Sequence, residues 1–279
     1  MKNKVKILGI QIQPEMGNKK ANLEKVKNFI AQYSWYKPDL IVLPEVFNTG
    51  VDHKALQKMA EPVPGGATTE LLAGLAKKYN TNIVMGSFAE KLSDNDYKNT
   101  SAVINRQGEI IGKYHKIHLF DYHGSEESKY FSAGNNAVIV ETDIGKIGLT
   151  VCFDIRFPEL YRCLSYAGAD IITNVAAFPY PKLDHWLTLN KARAIENLIY
   201  MVVVNQCGKV NIKRQNIGMS MVINPWGEII SCAGGDEGVM TAEIDLEKQK
   251  KIRKNFNILE DRKPECYEVC KQTTKAPSL

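Results

Sequence analysis

Short apolar runs and amphipathic stretches succeed one another along this chain in an order that occurs twice. Val5 to Ile12 is apolar enough for a buried strand, and Asn18 to Tyr36 carries Leu23, Val26, Phe29 and Ile30 at helical spacing. Leu40 to Leu43 is a second, shorter strand that stops at Pro44-Glu45. A loop with Pro62, Pro64, Gly65 and Gly66 leads to a predicted helix from about Thr68 to Tyr79. A strand from Asn82 to Ala89 follows, then a hairpin-like pair, Thr100 to Asn105 and Glu109 to Tyr114, around Gln107-Gly108.

The second half repeats this order. VKILGIQ (5–11) has its counterpart in GKIGLTV (145–151), and DLIVLPE (39–45) in DIITNVA (170–176). The first predicted helix matches a longer one, about Leu183 to Leu198, and Ile83–Phe88 matches Met201–Asn205. VINRQGEII (103–111) and VINPWGEII (222–230) agree at seven of nine positions. Two such halves, each with a sheet that needs cover on both faces, predict an α/β fold of four layers, an αββα sandwich with an internal pseudo-two-fold repeat. The expectation is one domain over residues 1–279. The segment from about Asp245 has no repeat partner and reads as a C-terminal arm against the body or a second subunit.

Chemistry concentrates in GKIGLTVCFDIRFPEL (145–160). A β-type run ends at Cys152, a polar turn follows, and a helical pattern opens near Pro158, where the missing N–H costs nothing. A thiol at a strand-to-helix junction faces backbone N–H groups and the positive end of a helix dipole, which favour a thiolate. A cysteine closing a buried strand is as readily a small core residue. Two more reactive side chains fall at strand ends: Glu45 after LIVL, and Lys116 after the second arm of the first hairpin, in KYHKIHLF. In α/β sheets ligands collect beyond the carboxyl ends of strands. Singly, each residue has an ordinary explanation, as a cap, a surface lysine or core. Together a carboxylate, an ammonium and a thiol are enough for nucleophilic catalysis without an imidazole.

Composition narrows the classes. Apolar residues make up 44% and charged residues 24% of the 279, as in a globular protein with a full core. The net charge of +5 is mild, and its densest stretch, KQKKIRKNF, reads as a solvated helix face, so no nucleic-acid partner is expected. No run approaches membrane-spanning length and no signal peptide is evident, so the expected setting is cytoplasmic, without a membrane partner. The six cysteines lack C-x-x-C spacing and read as reduced thiols. His115, His118 and His123 flank Lys116 at poor ligand spacing, so neither a metal nor another cofactor is expected. Ser220 lacks the G-x-S-x-G context of a serine hydrolase. Asp154 and Glu159 are expected to brace the turn, and Arg193, Glu196 and Asn197 to form a buried polar network.

LPEVF around Glu45, KYHKIHLF around Lys116 and CFDIRFPEL around Cys152 resemble the three signatures of the nitrilase, or carbon–nitrogen hydrolase, superfamily. The resemblance runs from Lys6 to about Tyr267 and takes in ARAIEN (192–197), GMS (218–220) and INPWGE (223–228). It implies the same αββα sandwich, commonly stacked as a homodimer or a higher homo-oligomer. It implies Glu45 as general base, Lys116 as oxyanion stabiliser with the backbone N–H of Phe153, and Cys152 as nucleophile. Glu127 matches a second glutamate that orients the lysine and the substrate amide, with Glu126 as its neighbour in register.

AFPYPKLDHWLTLNKARAIENLIYMVVVNQCG (177–208) is most similar to the ω-amidase branch, whose members hydrolyse 2-oxoglutaramate and 2-oxosuccinamate. Such a small-molecule amide carries a carboxylate, for which Arg156 is the candidate cation and Phe178 an apolar wall; Arg156 could equally pair with Asp154 or Glu159 and only brace the turn. QCG (206–208) and KVNIKRQN (209–216) resemble relatives that cleave deaminated glutathione. Cleavage of an N-carbamoyl amine or a nitrile uses the same triad. A binding module on this fold, or a redox-sensing thiol protein with Cys163 as resolving partner, are the non-hydrolytic readings.

Overall fold

The structure is a computed structural model that describes residues 3–267 apart from 52, 123, 124 and 257. Its first half runs β1 (Lys4–Gln11), α1 (Lys19–Gln32), β2 (Leu40–Val42), α2 (His53–Lys58), α3 (Ala67–Tyr79), β3 (Asn82–Val84), β4 (Phe88–Ser93), β5 (Asp96–Ile104) and β6 (Ile110–His115). Two short strands, β7 (Asp121–Tyr122) and β8 (Ser125–Glu126), lead to β9 (Ile139–Thr142). The second half runs β10 (Gly145–Val151), α4 (Pro158–Tyr166), β11 (Ile171–Ala176), α5 (Leu183–Asn197) and β12 (Tyr200–Asn205). A hairpin of β13 (Cys207–Asn211) and β14 (Arg214–Ile217) follows, then β15 (Met221–Ile223), β16 (Ile229–Cys232), β17 (Gly238–Asp245), α6 (Leu246–Asn255) and α7 (Pro264–Tyr267).

Two mixed sheets result, one in the order β17-β1-β2-β3-β5 with β4 and β6 both on β5, the other β16-β15-β12-β11-β10-β9. Strand alternation sorts side chains into three cores. Val5, Ile7, Leu40 and Val42 of the first sheet meet Ile147, Leu149, Val151, Val202 and Val204 of the second. On the outer face of the first sheet Leu8, Ile10 and Ile41 pack on Val26 and Ile30 of α1 and Leu72 of α3. On the outer face of the second, Ile172, Met201 and Val203 pack on Leu160 of α4 and Trp186 of α5. These are the four layers expected from the repeat.

The nine-residue match is also a structural one. In both copies an asparagine side-chain oxygen accepts backbone N–H groups across the turn, Asn105 from Gln107 and Glu109, Asn224 from Trp226 and Glu228. Each asparagine also donates to its own glutamate, Asn105 to Glu109 at 2.8 Å and Asn224 to Glu228 at 2.6 Å. The same three positions close the same turn twice, because the asparagine side chain supplies the bonds that a tight reversal leaves open.

Two features depart from the sequence expectation. The stretch from Asn82 to Ala89 is two strands, broken at Gly86, whose φ of 63° suits glycine and where a Cβ would lie 2.0 Å from the Pro44 carbonyl oxygen. The edge strand β17 pairs antiparallel with all of β1, from Lys4 opposite Asp245 to Gln11 opposite Gly238. Its equivalent in the other sheet is β9, antiparallel to β10. Each sheet is thus completed by the strand that ends the other half. The tail beyond packs on the body as far as α6. Asp245 caps that helix through Lys248 N, and Gln249 accepts from Tyr200 N (2.9 Å) and donates to the Asp170 carbonyl (2.9 Å).

Gly9 lies where the sheets face one another: an added Cβ would lie 2.4 Å from Met240 Cε on the neighbouring strand β17 and 3.1 Å from Val204 Cγ2 of the other sheet. Gly9→Val should therefore cost about 1–3 kcal/mol by overpacking the inter-sheet core. Equilibrium denaturation of the two proteins measures this.

Candidate active site

The carboxyl ends of the two sheets open into one cleft, lined in part by Glu45, Lys116, Glu127, Cys152, Arg156 and Phe178. Every side chain that the sequence offered for the site borders this cavity. Asn99, Lys182 and Arg214 border it too.

Cys152 directly follows β10 and sits at φ 48°, a left-handed conformation uncommon outside glycine. Such a residue persists only where its surroundings over-determine it, and here the turn Cys152–Arg156 is held from two sides. Asp154 is fully buried; it accepts from Val151 N (2.8 Å), Tyr114 Oη (2.7 Å) and His118 N (3.2 Å), and bonds His118 Nδ1 at 2.7 Å. From the helix side, Arg193 donates through Nε and Nη2 to the Ile155 carbonyl at 3.0 and 2.7 Å and through Nη1 to Glu196 at 3.0 Å. Asp154 thus braces the nucleophile-like turn as expected; Arg193, expected only in a buried polar network, grips it as well, whereas Glu159 is exposed in the first turn of α4.

Glu45 comes from the first sheet but is fastened to the second. Its Oε2 accepts Ala177 N at 2.9 Å, just past β11, and its carbonyl accepts Gln206 Nε2 at 2.7 Å, just past β12. Lys116, 2% exposed, follows β6 and donates to Glu45 Oε1 at 3.0 Å and to both oxygens of Glu127 at 3.1 and 2.8 Å. Of the two neighbouring glutamates, Glu127 faces the lysine and also accepts Phe120 N at 2.7 Å, while Glu126 is exposed and pairs with Lys129. Asn99 joins the carboxylates, its Nδ2 lying 3.0 Å from one oxygen of each.

Burial works against both charges of the central pair. It would lower the Lys116 ammonium, but Glu127 and Glu45 outweigh it and hold the lysine well above its usual range. Burial would likewise raise Glu127, and Lys116 brings it below the usual carboxylate range. For Cys152 burial wins: it pushes the thiol up, Glu45 adds to the rise, and Lys116 only partly offsets it. The resting cleft therefore holds a protonated thiol next to a carboxylate that can take its proton, with a cation alongside.

Arg156 pairs with neither Asp154 nor Glu159. It reaches His185 Nδ1 at 3.1 Å, and its guanidinium carbon lies 5.7 Å from the Phe178 ring centroid. His115 bonds Glu90, and His118 bonds Asp154 while stacking on Phe157; among the described residues no group of three or more His, Cys, Asp or Glu could hold a metal ion. His123 lies outside the described residues. Cys163 is exposed on α4, in a surface hollow with Arg162 and Tyr166 rather than in the cleft. Among the described residues no helix is long and apolar enough to cross a membrane.

Sequence reasoning missed Asn99, Gln206, Lys182 and Arg214. Asn99 lies mid-strand in KNTSAVI with nothing to separate it from a surface polar position; only the pairing of β5 with β6 brings it beside Lys116.

The depressed carboxyl of Glu127 contributes stability that is fully present above its unfolded pKa, about 4.3, and is lost as pH falls through the lower folded value. Glu127→Gln should cost on the order of 2 kcal/mol at pH 7 by leaving a buried cation half-paired. The difference from the parent should shrink below about pH 4. Thermal melts of both proteins across pH check the sign.

Comparison with known proteins agrees with this geometry. The family model described as Carbon-nitrogen hydrolase matches residues 9–254. The chain is 35% identical over 258 residues to 2-oxoglutaramate amidase of Bacillus subtilis, covering 92% of this chain and 97% of that one. It is 33% identical to deaminated glutathione amidase of Dictyostelium discoideum, covering 96% and 97%. Among solved structures, Saccharomyces cerevisiae Nit3, a member of branch 10 of the nitrilase superfamily, superposes with a TM-score of 0.85 at 29% identity, covering 92% and 95% of the two chains. An αββα sandwich, a cleft that joins a cysteine to a carboxylate and a lysine, and a match over nearly the whole chain place this protein in the carbon–nitrogen hydrolase family, whose chemistry is amidase- or nitrilase-type hydrolysis through a cysteine nucleophile.

Proposed function

We propose that this chain hydrolyses a small amide bearing a carboxylate, in the manner of an ω-amidase acting on 2-oxoglutaramate or 2-oxosuccinamate. The observation that carries the reading is Arg156 beside Phe178 in the same cavity as Cys152, with no carboxylate in ion-pair contact among the described residues: a guanidinium held over an aromatic wall suits a substrate carboxylate at a fixed distance from the thiol. The similarity to 2-oxoglutaramate amidase supports it.

In this reading Glu45 takes the proton of Cys152 as the sulfur attacks the amide carbon. Lys116 and the backbone N–H of Phe153 bind the tetrahedral oxyanion. Glu45 then gives its proton to the departing nitrogen, the C–N bond breaks, and a thioester remains. Water, deprotonated by Glu45, attacks the thioester and releases the acid and the thiol. Glu127 and Asn99 keep the lysine and the base in register. The raised thiol fits proton transfer during attack rather than a standing thiolate.

A longer amide of the deaminated glutathione type is the second reading. It is favoured by the extra cations, Lys182 and Arg214, on the cavity wall. The triad residues are the same for both.

Cys152→Ala should abolish ammonia release from 2-oxoglutaramate while leaving the melting temperature within a few degrees. Near-normal turnover in that variant would remove the cysteine from the mechanism. Arg156→Lys should raise KM for 2-oxoglutaramate about 10-fold or more, the worth of a lost bidentate charged bond, and change hexanamide hydrolysis far less. Equal losses on both would make Arg156 structural, and no release from either 2-oxo amide would refute the substrate.

A further inference from the structure

Site side chains and their supports alternate along β6. Tyr114 and Lys116 take the inner face of the first sheet, where Tyr114 Oη bonds Asp154 at 2.7 Å and Lys116 bonds Glu45 and Glu127. Lys113 and His115 take the outer face. Their cross-strand partners on β5 are Ala102 and Thr100, so Thr100 shares the outer face and Asn99, next to it, the inner one. The backbone joins the two inner residues directly, Lys116 N donating to the Asn99 carbonyl at 2.9 Å. Among the described residues β6 pairs within its sheet with β5 only, so one ladder has to place two groups of the site.

A single carboxylate grips that ladder from outside. Glu90, on β4, is 1% exposed and does not line the cleft. Its Oε1 accepts Lys113 Nζ at 2.6 Å; its Oε2 accepts Thr100 Oγ1 at 2.8 Å and bonds His115 Nε2 at 3.1 Å. Burial would raise the Glu90 carboxyl, but His115, Lys113 and Thr100 together bring it below the usual carboxylate range, so it bonds as an anion. A buried carboxylate is a costly way to hold strands together, and an apolar side chain of like volume often stabilises as well or better. What the carboxylate adds is geometry. It fixes β4, β5 and β6 to one another at the residues next to Asn99 and Lys116.

We propose that Glu90 is a positioning residue for the hydrolysis: from the outer face it clamps Thr100 of β5 to Lys113 and His115 of β6, and so sets where Asn99 and Lys116 stand around Glu45 and where the ammonium meets the oxyanion. This rests on the amidase reading above and deepens it. With the clamp loosened, a small drift of the lysine weakens a bond that matters most in the transition state.

Glu90→Gln keeps the shape and removes the charge. In that variant kcat for 2-oxoglutaramate should fall about 10- to 100-fold while KM stays within about twofold, because the groups that bind the ground state are untouched. Thr100→Val removes only the β5 arm and should show the same split to a smaller extent, with melting temperatures recording the fold of each variant. Unchanged kcat in the folded variants, or a rise in KM with kcat kept, overturns the proposal. A second readout needs no substrate: the rate at which iodoacetamide alkylates Cys152, followed on the Cys152 peptide by mass spectrometry. Lys116 favours the thiolate, so its displacement should slow alkylation about threefold or more near pH ~8. Glu90→Gln and Lys116→Ala should each do so, and the double variant should be no slower than Lys116→Ala, since one residue acts through the other. Equal alkylation of the parent and Glu90→Gln refutes the clamp, and so do losses that multiply in the double variant. A parent that hydrolyses no amide refutes the reading above instead, and alkylation then decides the clamp alone.

Discussion

The site depends on one buried ammonium between two carboxylates. Taking a lysine out of water costs several kcal/mol, and a single acidic partner often fails to repay it. Lys116 has two partners, and Asn99 ties their oxygens together, so each group limits the freedom of the others. The cluster is also what holds the Glu45 side chain in place in the cleft that Cys152 borders. Because Glu45 leaves the first sheet and is bonded by backbone and side chain of the second, the relative placement of the sheets and the geometry of the site are one constraint.

The two sides of the cleft use different means. The Cys152 turn comes from backbone shape, a left-handed residue locked by Asp154 and by Arg193 gripping the Ile155 carbonyl. The Lys116 side comes from charge. A shape-built nucleophile can be left protonated and unreactive until a substrate arrives, whereas a charge-built cluster is ready beforehand. That division agrees with a thiol held up by burial and a lysine held up by acids.

Much of this was legible in the residues. Period-two runs and the repeated VIN-x-x-GEII segment give the layers, because both follow from local side-chain chemistry. Glu45, Lys116 and Cys152 stand at strand ends, where an open α/β sheet presents its chemistry, and can be read from strand endings alone. Asn99, Gln206 and Arg214 could not be read in this way. Asn99 lies inside β5, Gln206 between β12 and β13, and Arg214 on β14, and only how these strands pair and fold over decides whether each side chain meets the cleft or solvent. The same limit hid β17: GVMTAEID is a plausible strand anywhere, and nothing local says that it closes the sheet begun by β1.

That closing strand has a consequence for how the chain is made. Once made, β1 waits with one edge open until residues 238–245 exist, long after the other strands of its sheet. The likeness of the two halves therefore does not make them separable: a chain stopped after its first half would have β1 to β6 in place and a raw, apolar border where β17 belongs. Such borders pair with other chains. A duplication that began as two equal units has become, by exchanging their last strands, a structure in which the beginning and the end of the chain must meet before either half is finished.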